Sequence, residues 1–244
     1  MYKKKTYKLG STIEVEEYHT TDARAPGMQR EKKQSLTPEK VEKVNHQNKV
    51  KLTRRRLRKY FNAGDYFTTL TYSVDERPES MEEAKTHWQR FIRILKRAFE
   101  KAGQELRWMR NIEVGTRGAW HIHMIIKRIP DIDLIISGAW KYGRVVSQLL
   151  YERGGFADLA AYICKTPKTD TRLKESHFSC SRNMPIPEPK TKKIRQKSFI
   201  GKKPRVPKGW VLEELVEGVN PVTGYPYRYY AITKEKERGR RCMT

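Results

Sequence analysis

Cysteine is scarce in this chain, acidic residues are outnumbered, and long apolar runs are missing. The 244 residues include only three cysteines, Cys164, Cys180 and Cys242. Their wide spacing matches neither a zinc-ligand pattern nor a disulfide framework, so a reducing, cytoplasmic setting is expected. No apolar stretch approaches the length of a membrane span, and the N-terminus lacks the apolar region of a secretory signal, so no membrane partner is expected. No GxxxxGK[ST] run occurs, which excludes a recognisable ATP-binding loop. Apolar residues make up 37% and charged residues 33%, so solvated arms around one sizeable core are expected.

Against 28 acidic residues stand 52 lysines and arginines, a formal charge of +24. The excess is unevenly placed. Residues 1–60 carry a net +10, residues 61–165 only +3, residues 166–209 another +10, and residues 210–244 just +1. A near-neutral middle flanked by cationic segments suits a phosphate backbone held by arms, and the excess is larger than solubility requires.

The pattern of side chains divides the chain further. Thr37 and Pro38 predict a helix start, with Thr37 as the N-cap and the helix ending before Gly64. Lys51, Arg54, Arg55, Arg56, Arg58 and Lys59 make this helix a candidate phosphate-facing surface, since acidic partners run out after Glu42. Residues 66–72 read as a strand. Residues 80–102 read as an amphipathic helix with Trp88, Phe91, Ile92, Leu95 and Phe99 on its buried stripe. Strands at 107–115 and 119–127 follow, joined by a three-residue hairpin loop, Thr116-Arg117-Gly118. A helix at 131–139, a strand at 144–151 and a helix at 155–166 complete the middle. This order predicts an α+β fold, an antiparallel sheet with helices packed on one face. Four segments are expected: a basic arm and helix (1–60), a core (61–166), a basic proline-dotted segment (167–209), and a closing β-hairpin with a charged tail (210–244). Lys192, Lys193, Arg195 and Lys197 of the third segment are candidate DNA contacts, on an arm expected to be mobile. Residues 1–36 read as patternless apart from a possible short strand at 12–18.

The run from Trp120 to Ile126 carries the most chemistry. Strand side chains alternate faces, so His121 and His123 share one face while Trp120, Ile122 and Met124 share the other. The loop length pairs Glu113 with His121, which places Glu113 on the histidine face with Asn111 beside it. Two imidazoles and a carboxylate are a ligand set for a divalent ion, here Mg2+ or Mn2+, that would polarise a phosphate. In the last helix, Phe156, Leu159, Ala160 and Ile163 form the buried stripe. Asp158, Tyr162 and Lys165 lie opposite. Packing therefore does not account for Tyr162, whose phenol is a candidate nucleophile toward phosphorus, with Lys165 one turn away.

Together these residues resemble the HUH endonuclease superfamily, and within it the rolling-circle replication initiators (Rep proteins) of plasmids and phages. The resemblance covers roughly residues 45–185. It rests on FTTLTY at 67–72, HIH at 121–123 with Glu113, and YICK at 162–165, in that order. Trp140, Gly143 and Ser181-Arg182 add to it. It implies a ferredoxin-like or RRM-like catalytic fold and a metal-dependent enzyme that nicks one strand of an origin, single-stranded or hairpin. It also implies that the tyrosine stays joined to the 5′ phosphate and can rejoin ends. Glu113, His121 and His123 would be the metal ligands, with Tyr162 and Lys165 catalytic. With no ATP motor of its own, such a protein would work with a host helicase and polymerase. A single-tyrosine transposase and a non-catalytic single-strand-binding module are the competing expectations.

Overall fold

The computed structural model describes residues 1–20, 37–115, 118–151, 156–165, 178–196, 198–221 and 223–235. Thr116 and Arg117 of the expected hairpin loop, the candidate contact Lys197, and Cys242 lie outside the described residues. In chain order the elements are β1 (Tyr2–Leu9), β2 (Thr12–Tyr18), α1 (Pro38–Tyr60), β3 (Tyr66–Thr71), α2 (Met81–Lys101), β4 (Trp108–Val114) and β5 (Trp120–Ile126). There follow α3 (Ile132–Ala139), β6 (Val145–Leu149), α4 (Ala157–Ile163), β7 (Phe178–Cys180), β8 (Lys190–Ile194), β9 (Trp210–Val219) and β10 (Pro226–Lys234). The fold is α+β, as expected, with two antiparallel five-stranded sheets. The chain divides into two compact units, residues 48–186 and residues 1–47 with 187–244. No helix among the described residues is long and apolar enough to cross a membrane.

The unit 48–186 holds the sheet β6-β3-β5-β4-β7. Its strand positions follow the sequence because the alternation is strong. Leu70, Ile112, Trp120, Ile122, Met124 and Ile126 cover one face and are buried against Trp88, Phe91, Leu95 and Phe99 of α2 and Ile132 and Ile136 of α3. Each such side chain contributes about 1.5–3 kcal/mol on burial. The α2 stripe is the predicted one, with Ile92 only partly buried. Its start is fixed by Ser80, whose hydroxyl accepts the Glu83 N–H at 3.2 Å, while Glu83 accepts the Glu79 N–H at 2.8 Å.

The opposite face is also covered. Met109 and Ile125 pack there with Leu57 and Phe61 of the α1 end and its exit, and with Phe156, Ala160, Ile163 and Cys164 around α4. The expectation of helices on one face is thus corrected: α2 and α3 take one side, α4 and the last turns of α1 the other. The reason is that β4 and β5 carry apolar residues on both faces at their Met109/Ile125 end, so both faces need cover there.

The second unit corrects the expectation of patternless arms. Residues 2–9 and 12–18 form a full hairpin, and the sheet order is β8-β1-β2-β10-β9. Lysine at alternate positions of β1 disguised it in the sequence. The basic segment is not a free arm either. Residues 190–194 are a strand paired with β1. Arg228, only 4% exposed, donates from Nε to Glu17 Oε2 at 2.8 Å. Its Nη1 donates to the carbonyls of Phe199, at 3.2 Å, and Lys202. A buried guanidinium thereby ties the proline-dotted loop to the sheet.

A tight approach anchors the end of β3. The Trp140 indole donates to the Thr71 carbonyl at 3.0 Å, and the Thr71 N–H donates to the Arg144 carbonyl at 2.8 Å. Gly143 sits between them. A methyl group there would stand 2.7 Å from Ser73 N and closer still to the Thr71 carbonyl oxygen, both backbone atoms. Gly143→Ala will therefore lower stability by about 1–3 kcal/mol, read as a lower urea midpoint with an unchanged m-value.

Candidate active site

Register brings the site together. On β5, His121 stands opposite Glu113 and His123 opposite Asn111. On the other side Thr71 stands opposite His121 and Thr69 opposite His123. The predicted pairing of Glu113 with His121 is the one observed, and the histidine face is the one away from α2.

His123 is the centre of this face and is 7% exposed. Its Nδ1 is 3.1 Å from Thr69 Oγ1. Its Nε2 is 3.1 Å from Tyr162 Oη and 3.4 Å from Glu113 Oε2. Phe67 stacks on the imidazole at 5.6 Å between ring centroids and meets the Tyr162 ring edge-on. Asn111 Nδ2 donates to Glu113 Oε1 at 3.0 Å, which aims the other carboxylate oxygen at His123. His121 stands further off, 6.3 Å from His123 between centroids.

The electrostatics separate the groups. Burial disfavours the charged form of Glu113. The hydrogen bond and charge of His123, with the charges of Lys165 and His121, outweigh burial and hold its pKa below the ordinary carboxylate value. Burial lowers the pKa of His121, and the neighbouring His123 lowers it further. Burial also raises the Tyr162 phenol, with the Glu113 charge adding to it. At neutral pH the site thus presents an ionised carboxylate beside a protonated phenol.

Tyr162 reaches the sheet because α4 is pinned from below. Ala160, Ile163 and Cys164 are fully buried, and the Cys164 thiol donates to Thr53 Oγ1 of α1 at 3.1 Å. Phe156 starts the helix with φ 62°, an unfavourable conformation for an aromatic residue, and is held there by burial at 3% exposure. The polar side of the helix then leaves Tyr162 41% exposed with its hydroxyl on His123. Lys165 is exposed just beyond the helix, and its charge acts on Glu113.

Of the expected metal ligands, Glu113 and His123 are in contact, and His121 is the neighbouring ring. Among the described residues no three His, Cys, Asp or Glu side chains close into a metal-holding group. The donor chemistry nevertheless suits a divalent cation. Thr69 occupies Nδ1 of His123 and directs Nε2 toward an ionised carboxylate. Asn111 Oδ1 is buried and accepts no hydrogen bond among the described residues.

The cationic helix is less available than its sequence suggests. Arg55 and Arg58 are only 3% and 6% exposed, so these two are interior groups and not the phosphate contacts expected of them. Lys51, Arg54, Arg55 and Arg58 all have partners within the protein. Arg56 donates from Nε to the Met184 carbonyl at 2.9 Å, and Lys59 is exposed. Lys192 and Lys193 are exposed on β8, and Arg195 just after it.

Sequence reasoning gave no role to Thr69 or Phe67. Both alternate with buried Leu70 and Thr68 on β3, but only the β3–β5 register, a non-local pairing, shows that Thr69 meets His123.

Residues 65–167 match the family model of the replication-associated protein ORF2. That span contains Thr69, Asn111, Glu113, His121, His123, Tyr162 and Lys165. The match supports a replication initiator protein. No curated protein and no solved structure matches the chain.

Thr69→Val removes the partner of His123 Nδ1 while keeping the strand's shape. The imidazole nitrogen shifts of His123 in NMR spectra will change, and Thr69→Ser will restore them. Unchanged shifts in the valine variant would show that Thr69 does not set the ring's tautomer.

Proposed function

We propose that the protein is a rolling-circle replication initiator of the HUH type, a nicking and joining enzyme acting on single-stranded or hairpin origin DNA. The observation that carries this reading is the contact of Tyr162 Oη with His123 Nε2 at 3.1 Å, in a site that also holds Glu113. A phenol held over a histidine–carboxylate pair has the relation of nucleophile to oriented partner found in covalent catalysis. The family match supports the replication role.

In this reading Tyr162 Oη forms a bond to phosphorus and the P–O3′ bond breaks. The phenol's proton is lost, and the departing 3′ oxygen takes one up. The 5′ phosphate stays on the tyrosine, so the reverse attack by a 3′ hydroxyl rejoins the strand. Lys165 neutralises the phosphate charge from one turn beyond Tyr162. Thr69 and Asn111 hold His123 and Glu113 in place. Glu113, His121 and His123 would hold Mg2+ or Mn2+, which when bound polarises the scissile phosphate. Lys59, Lys192, Lys193 and Arg195 grip the backbone, together with Lys51, Arg54 and Arg56 where DNA displaces their present partners. A host helicase and polymerase would supply unwinding and synthesis.

Two measurements test this. Tyr162→Phe will bind origin DNA as the wild type does and form no adduct that survives denaturation. Lys165→Ala will form the adduct about tenfold to a thousandfold more slowly with little change in affinity. A Tyr162→Phe protein that still forms the adduct overturns the assignment. Chelation with EDTA will abolish nicking and Mn2+ will restore it; full activity in metal-free protein removes the ion from this account.

A further inference from the structure

The second sheet carries a surface that the site around His123 does not use. Cross-strand partners share a face. Lys193, Lys3, Tyr18, Tyr227 and Gly218 therefore form one row across β8, β1, β2, β10 and β9. Lys3 and Lys193 stand directly opposite each other, so like charges meet and an anion placed beside them is favoured. The row itself contains no carboxylate. Lys193 is exposed, and Lys3, Tyr18 and Tyr227 are partly exposed.

The two tyrosines are shaped for stacking. A methyl group at Gly218 would stand 3.2 Å from Cε1 and 3.3 Å from Oη of Tyr227, so the ring reaches across the glycine and turns its other side outward. Lys5 Nζ lies 5.4 Å from the centre of the Tyr18 ring and adds a cation beside it. The nearest acid on this face, Glu16, accepts a hydrogen bond from Tyr7 Oη at 3.4 Å. Tyr7, Leu9 and Glu14 mark the buried end of the face, and the lysine–tyrosine row lies at the other end.

Two adjacent lysines followed by two rings are the elements that hold a single strand: charge for the backbone, π-faces for unstacked bases. A duplex keeps its bases stacked inside and leaves the rings without partners. We infer that this row is a docking surface for single-stranded DNA, with bases on Tyr18 and Tyr227 and phosphates on Lys3 and Lys193. The choice of DNA over RNA rests on the replication role proposed above.

Binding of fluorescein-labelled oligothymidylate to the full chain, followed by anisotropy at several salt concentrations, tests the surface. Tyr227→Ala and Tyr18→Ala will each weaken binding about fivefold to a hundredfold, and Tyr227→Phe will keep nearly all of it. Lys193→Gln will lower the salt slope by about one unit. With iodouracil-substituted DNA, photocrosslinks on the wild-type protein will map to Tyr18 or Tyr227, which decides the matter even where an alanine variant folds poorly. Unchanged affinity in Tyr227→Ala, crosslinks confined to residues 48–186, or tighter binding of a duplex or an RNA of the same sequence each overturns the inference. Adduct formation is scored on the same samples. An adduct with binding indifferent to Tyr227 defeats the docking surface alone. Tyr227-dependent binding with no adduct from the wild type supports the surface and defeats the nicking chemistry alone.

Discussion

Slide β5 by one residue against its neighbours, and His121 and His123 go beneath α2 while Trp120 and Ile122 rise into water. Several large side chains would each lose about 1.5–3 kcal/mol of burial, and two imidazoles would enter an apolar layer without partners. The sorting of β5 into a wet and a dry face is what the rest of the site depends on. Once β5 is set, β3 can present only Phe67, Thr69 and Thr71 to the histidines, and β4 only Asn111 and Glu113. Gly143 and Trp140 then lock the end of β3, so the register is held from outside the sheet as well.

The same burial has opposite consequences for neighbouring groups, and this gives the site its polarity. Glu113 is desolvated, yet it stays ionised because His123, Lys165 and His121 surround it with favourable charge. Tyr162 is desolvated beside that carboxylate, and both influences hold its proton on. An ionised acceptor and a protonated phenol thus share one imidazole. That arrangement is quiet until an incoming charge, a phosphate or a cation, alters the balance.

Local pattern carried the central unit and failed at its margins, for definite reasons. The strands from 66 to 126 were legible because period-two alternation and a short hairpin leave one solution, and Glu113 opposite His121 follows from the loop length alone. The stripe Phe156, Ala160 and Ile163 on α4 was legible because the period is 3.6. The N-terminal hairpin was hidden because β1 is lysine-rich and completes its sheet with β8, nearly two hundred residues away in sequence. The cationic helix misled in another way. Arg55 and Arg58 count toward net charge but lie inside the protein, so a charge tally overstates the surface open to DNA. Thr69 could be seen on the correct face of β3 but not opposite His123, since strand pairing across α2 is a tertiary fact.

Catalysis and base recognition compete for the same kind of surface. A sheet face that must hold two histidines, a carboxylate and the residues orienting them has few positions left for rings. On β3, β4 and β5 the exception among the described residues is Phe67, and it is already stacked on His123. Bases of a single strand need free π-faces, so such contacts have little room on the histidine face. The second sheet has the reverse composition at its open end, with two lysines, two tyrosines and a glycine in one row, and neither histidine nor carboxylate there. Chemistry on one sheet and strand-holding on another follows from what a five-stranded face has space to display.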